Sequence, residues 1–241
     1  YCFSSVQLKI NCLNINNIRI KGNIMLKKLS AAALLGLASL TANANMIVDL
    51  ELQLLADVSG SVSDSEYALQ LSGYSSAFRD TDVINSILDT SNGKTGSIAV
   101  QYIEWSSSNQ QKTQIDWMLI NSQTSALAFA DLLDGLTRAY DHSTGIANAI
   151  AYGASLFSTN AYDAARQVID VSGDGNENEG GNVSQARDNA LNAGIDSING
   201  ITIGNASGLT SFYQDNVVGG ENAFHIHAET FERTIKQIEG D

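Results

Sequence analysis

The sequence predicts a doubly wound α/β domain. It should have a mainly parallel sheet, one antiparallel edge strand and helices on both faces. Three observations carry this. From Val48 onward, short apolar runs alternate with longer stretches of helical periodicity, the pattern of successive βαβ units. Two of the runs are separated only by the polar loop SSSNQ, which reads as a hairpin and places one antiparallel strand at an edge. The chain contains no proline, so its turns depend on Gly, Asn, Asp and Ser.

The elements follow in order. Val48–Ala56 (VDLELQLLA) is a strand. Over 63–80, Tyr67, Leu71, Tyr74 and Phe78 recur at steps of four, three and four, which is helical spacing. Ser63 and Glu66 form a capping box at its start. Residues 82–88 give a short second helix. Residues 97–105 (SIAVQYIEW) and 111–119 (QKTQIDWML) form the hairpin. Their tryptophans, Trp105 and Trp117, are core candidates. Helices follow over 122–133 and 145–157. Residues 166–172 (RQVIDVS) are a strand that runs into GDG. A helix over 183–193 ends at Gly194, a C-terminal cap residue. A strand lies within 195–203, a helix at 209–217, a strand at 223–228 and a last helix at 230–238.

The beginning of the chain reads differently. Residues 25–44 (MLKKLSAAALLGLASLTANA) show two lysines, a short apolar run and a small-x-small site, the pattern of a secretory signal peptide. Residues 1–24 lie upstream of Met25 and hold no acidic residue. They are expected to be translated non-coding sequence. The expected domain is 45–241, secreted or periplasmic after cleavage near Ala44. Both cysteines fall before residue 45, so the domain forms no disulfide. It holds all 26 acidic residues and 8 of the 13 basic ones, a net charge of −18. That balance disfavours nucleic acid and anionic lipid surfaces. It tolerates divalent cations. No segment after residue 44 is apolar enough to span a membrane.

In doubly wound sheets, ligands bind beyond the carboxyl ends of the strands. Three loops there are unusual. Asp57-Val58-Ser59-Gly60-Ser61 follows the first strand, Ser143-Thr144-Gly145 opens a helix, and Gly173-Asp174-Gly175 follows the strand VIDVS. Together they offer two carboxylates and three hydroxyls. Hard cations take such oxygen donors and keep some water. Gly60 and Gly175 are expected to let the backbone turn sharply beside an ion.

The order D-x-S-x-S, then a lone Thr, then Asp-Gly resembles the metal-ion-dependent adhesion site of von Willebrand factor type A domains. The stretches DVSGSV, EYALQLSGYSSAFRD, IAVQYIEWS and VIDVSGDGNENEG are similar to a secreted bacterial subfamily of these domains whose function is unknown. The resemblance covers nearly all of 48–239. It implies that Ser59, Ser61 and Thr144 supply hydroxyls and that Asp57 and Asp174 bind directly or through water. The implied ion is divalent, with Mg²⁺ expected ahead of Mn²⁺ or Ca²⁺. The implied partner is a protein or other ligand presenting a carboxylate. The chain departs from the subfamily at Asp141-His142-Ser143, where glycines are common before the threonine.

Other readings stand beside this one. DVSGS could be a Ser/Gly turn, and Ser63 caps a helix without any ligand. The acidic run after Asp174 fails as an EF-hand, which needs Gly sixth and Glu twelfth; those places hold Glu179 and Gln185. Glu177 and Glu179 are expected in a solvated loop. His225 and His227 share one strand face, but no third zinc ligand is nearby. A metal-assisted hydrolase would need a general base, for which only His142 or Glu177 is available. A third reading is a structural envelope module whose ion only stabilises the fold.

Overall fold

A computed structural model describes residues 45–204 and 206–228. The proposed leader, the upstream residues and the helix expected at 230–238 lie outside the described residues.

Strand β1 (Met46–Val48) precedes β2 (Leu50–Asp57). The expected single strand is thus broken at Asp49. There the Asp49 carboxylate oxygens accept the backbone N–H groups of Thr95, Gly96 and Ser97, at the entry to β3. Helix α1 (Asp64–Arg79) carries the predicted capping box, with Ser63 as N-cap and Glu66 returning to the Ser63 N–H. Asp80 ends α1 and caps α2 (Thr81–Ile87) through its side chain. β3 (Ile98–Trp105) and β4 (Gln111–Ile120) form the predicted antiparallel pair, with a register shift near Tyr102. Then follow α3 (Gln123–Asp134), α4 (Ile146–Phe157), β5 (Tyr162–Ala164) and β6 (Gln167–Gly173). The chain continues through α5 (Val183–Asn192) and β7 (Ser197–Ile203). Gly194, at φ +114°, sits just past α5 as expected.

The expected helix at 209–217 is instead one α-turn, α6 (Leu209–Phe212), continued by a π-helical turn (Tyr213–Val217). The short β8 (Gly219–Gly220) and β9 (His225–Ala228) both pair with β7. The spacing patterns did not reveal β5, which makes a separate two-stranded parallel pair with β1.

The main sheet runs β4-β3-β2-β6-β7, and β8 and β9 join beyond β7. All pairs among β3, β2, β6, β7 and β9 are parallel; β4 is the expected antiparallel edge, and the two-residue β8 also pairs antiparallel with β7. β2 is central, and all eight of its residues are buried. Its alternation sends Leu50, Leu52 and Leu54 toward α1, α2 and α3. Leu55 packs with α4, α5 and the π-turn on the other face. From β2 the chain steps outward to β3 on one side and later to β6 on the other. The two βα crossovers therefore diverge at the carboxyl ends of β2 and β6, the place where ligands bind in doubly wound sheets.

Candidate metal centre

Asp57 is the last residue of β2 and is fully buried. Its Oδ1 accepts the Ser59 N–H at 2.7 Å, a tight turn that points the next side chains back over the strand end. Ser59 is buried and Ser61 exposed, with their hydroxyl oxygens 3.2 Å apart. Thr144, just before α4, brings its Oγ1 to 3.4 Å from Ser59 Oγ. Asp174, one residue past β6, accepts the Ser61 hydroxyl at 2.6 Å through Oδ1. The fold thus gathers all five sequence-predicted residues into one hydrogen-bonded cluster.

Asp57 Oδ2 is buried and has no hydrogen-bond partner. A buried carboxylate oxygen without a partner is costly. Burial pushes the Asp57 carboxyl up to about 7; hydrogen bonds from Ser59 oppose this, and the nearby Asp174 charge adds to it. Asp174 is also raised, by burial first and by Glu66, against the Ser61 hydroxyl and Arg138. Two carboxylates held so close gain from a bound cation. Among the described residues there is no cluster of three or more His, Cys, Asp or Glu side chains suited to a metal. The donor set here is two carboxylates and three hydroxyls, oxygen chemistry that suits a hard divalent ion.

The glycines act differently from the expectation. Neither Gly60 nor Gly175 has a positive φ. Gly60 is small because the second loop lies against it: a Cβ there would sit 2.8 Å from the Asp141 carbonyl oxygen, and its N–H donates to the His142 carbonyl at 2.6 Å. Gly175 would accommodate a Cβ in ordinary contact with Thr144. Among the glycines of the site loops the tightest approach is at Gly173, which the motif did not single out. A Cβ there would clash with Tyr213 Oη and come 2.8 Å from Asp57 Oδ2. Tyr213 Oη is also buried without a partner, so two unsatisfied polar atoms flank one glycine behind the site.

Three further residues hold the loops in register, and the motif gave no sign of them. Asn178 accepts the Thr144 N–H at 2.8 Å through Oδ1, and its own N–H donates to the Thr144 carbonyl at 3.0 Å. Its Nδ2 lies 3.5 Å from Thr144 Oγ1. Arg138 donates from Nη2 to the Val58 and Ser59 carbonyls at 3.0 and 2.6 Å, tying the second loop to the first. Buried Glu104 accepts the Ala139 N–H, the Tyr67 hydroxyl and the Gln114 amide, which anchors the segment leading to Thr144.

Glu177 corrects the solvated-loop expectation. Its Oε2 accepts the Ala147 N–H in the first turn of α4, and its Oε1 accepts the Glu179 and Gly181 N–H groups. A carboxylate at a helix N-terminus is favoured by the orphan N–H groups there. Glu179 is exposed and accepts the Ser108 hydroxyl. His142 is exposed beside Asp141. His225 Nε2 and His227 Nδ1 both meet Thr202 Oγ1, at 2.9 and 3.0 Å. Trp105 is fully buried, and Trp117 packs edge-on against Phe157.

The profile of a family described as proteins of unknown function, DUF1194, matches residues 47–239. The chain belongs to this family. No curated protein matches this DUF1194 chain. Solved structures do. Proximal thread matrix protein 1 from the mussel byssus, in a form with a zinc-occupied MIDAS motif, has a TM-score of 0.57 and 14% identity. That match covers 81% of the DUF1194 chain and 45% of the mussel chain. The pilus adhesin SpaC from Lactobacillus rhamnosus GG has a TM-score of 0.54 and 11% identity, over 78% of the DUF1194 chain and 29% of its own. The DUF1194 chain therefore spans less than half the length of each. At such identities the likeness is one of fold: the DUF1194 domain has the von Willebrand factor type A architecture. Among the described residues no helix is long and apolar enough to cross a membrane.

Proposed function

We propose that this domain is a secreted or periplasmic recognition module. In this reading it holds a divalent cation through Asp57, Ser59, Ser61, Thr144 and Asp174, with Mg²⁺ the expected ion and Mn²⁺ or Ca²⁺ able to replace it. The reading rests above all on Asp57 Oδ2, a fully buried carboxylate oxygen with no partner beside three clustered hydroxyls. When bound, the ion would offer an open coordination position to a carboxylate on a partner protein or other acidic ligand. The chain's own part is positional. Ser59 and Thr144 present hydroxyl oxygens from a buried floor, with Ser61 exposed above them and Asp174 half-buried beside it. The zinc-occupied motif of the mussel protein supports a divalent ion in this fold.

The test is thermal unfolding of the purified protein with Mg²⁺, Mn²⁺, Ca²⁺ or EDTA. A ligand that binds only the folded state raises its stability by mass action. At least one cation should raise the melting temperature of the wild type and leave Asp57→Ala and Asp174→Ala unchanged. If both variants respond to every condition as the wild type does, the cation site is wrong.

A further inference from the structure

The charges around the cluster point to a specific kind of partner. Five carboxylates ring it. Asp64 lies in the first turn of α1, with its side chain fully exposed. Glu66 lies in the same first turn, close enough to raise the Asp174 carboxyl. Asp141, exposed, lies on the loop packed against Gly60. Glu177 and Glu179 sit on the loop after Asp174, with Glu179 turned toward Ser108.

Among the described residues, opposing cations are few. Arg138 lies 3.6 Å from Asp64, but its guanidinium already serves the Val58, Ser59 and Tyr140 carbonyls. His142 Nδ1 is 3.1 Å from Asp141 Oδ1 and is positive only when protonated. A divalent ion would be neutralised by Asp57 and Asp174 alone. Of the five surrounding carboxylates, Glu66 and Glu177 already accept backbone N–H groups, while Asp64, Asp141 and Glu179 face solvent with one arginine among the described residues beside them. A bare anionic ligand would meet that field on approach, and like charges brought together in an interface are penalised.

We propose that the partner presents its carboxylate from within a basic protein segment, an Asp or Glu flanked by Lys or Arg. The carboxylate takes the central position, and the flanking cations face Asp64, Asp141 and Glu179. This rests on the cation-site reading above and narrows it to a partner class. Each well-placed basic flank adds about a two- to fivefold gain in affinity, the range of exposed ion pairs. The gain shrinks as salt rises.

The test pans a phage-displayed random peptide library on the immobilised full chain with Mn²⁺ and elutes with EDTA. The same panning is repeated on the charge-reversed variant Asp64→Lys/Asp141→Lys. The unfolding shift with Mn²⁺ is read on both proteins, so loss of the cation site is seen separately. Sequences released by EDTA from the wild type should carry an acidic residue with Lys or Arg neighbours. The variant should lose that enrichment of basic neighbours. Enriched acidic residues with neutral or acidic neighbours would overturn the proposal, as would no EDTA-released enrichment beside an intact Mn²⁺ unfolding shift. An identical basic preference in the variant would overturn it as well. A missing Mn²⁺ shift in the wild type would instead remove the cation-site reading beneath it.

Discussion

Replacing Asp57 by Asn should stabilise the cation-free protein at alkaline pH while abolishing its response to cations. In the folded chain the Asp57 carboxyl sits at about 7, against 3.8 for the unperturbed side chain. Between these values the folded state keeps a proton that the unfolded chain has released. Folded stability therefore falls as pH rises through this window and levels off above it. Roughly three pH units at about 1.36 kcal/mol each amount to on the order of 4 kcal/mol. Asn has the same shape, keeps an oxygen for the Ser59 N–H and carries no charge at any pH. In EDTA at alkaline pH, Asp57→Asn should melt above the wild type. The expected gap is roughly 8–16 °C, at about 2–4 °C per kcal/mol for a domain of this size. Below the unperturbed Asp value the two proteins should nearly coincide. With Mg²⁺ at a hundredfold excess over its Kd, the wild type should gain about 2.7 kcal/mol and the variant almost nothing. Calorimetric melts over a pH series, with and without Mg²⁺, measure both arms. An Asp57→Asn variant that melts below the wild type in EDTA at alkaline pH would refute the reasoning, because burial of the charge would then carry no cost.

Three more outcomes follow from named contacts. Asn178→Ala removes both side-chain contacts to Thr144 and should weaken cation binding about tenfold, the usual scale for loss of a group that orients a ligand; isothermal titration with Mn²⁺ reads it, with folding checked by circular dichroism. Gly173→Ala drives a methyl into Tyr213 Oη and Asp57 Oδ2 and should cost about 1–3 kcal/mol. Adding Tyr213→Phe removes the hydroxyl and should recover part of that loss in urea unfolding, and a purely additive double variant would show that the clash is elsewhere. Ser63→Ala removes the α1 cap and should cost about 1 kcal/mol while leaving the cation-induced rise in melting temperature at its wild-type size, since Ser63 bonds only within its own helix start.

Much of this architecture was legible in the chain because its signals are local. The α1 cap is written in S-x-x-E, the hairpin in two β-rich runs around SSSNQ, and the end of α5 in Gly194. The five cluster residues were legible too, through their order along the chain and their place at strand ends. What stayed hidden depends on neighbours distant in sequence. The strand pairing of Tyr162–Ala164 with β1 shows no local periodicity, because the pair is only three residues long. The π-turn at Tyr213 reads as ordinary helix, since its side chains keep nearly the same spacing. Glu177 looks like a loop carboxylate until the start of α4 is brought against it.

By itself the sequence determined the alternation of strands and helices, the caps that bound them and which hydroxyls and carboxylates stand at the strand ends and helix starts. Each of these is set by residues within a few positions of one another. Only the tertiary structure decided that Ser61 meets Asp174, 113 residues later, and that Thr144 meets Ser59 across 85 residues. It also decided that Asp57 Oδ2 is left without a partner and that Glu66 comes near Asp174. The reason is that strand order is a long-range choice. Placing β6 beside β2 brings the loops that follow them together, and burial at that junction removes the water that would otherwise satisfy Asp57.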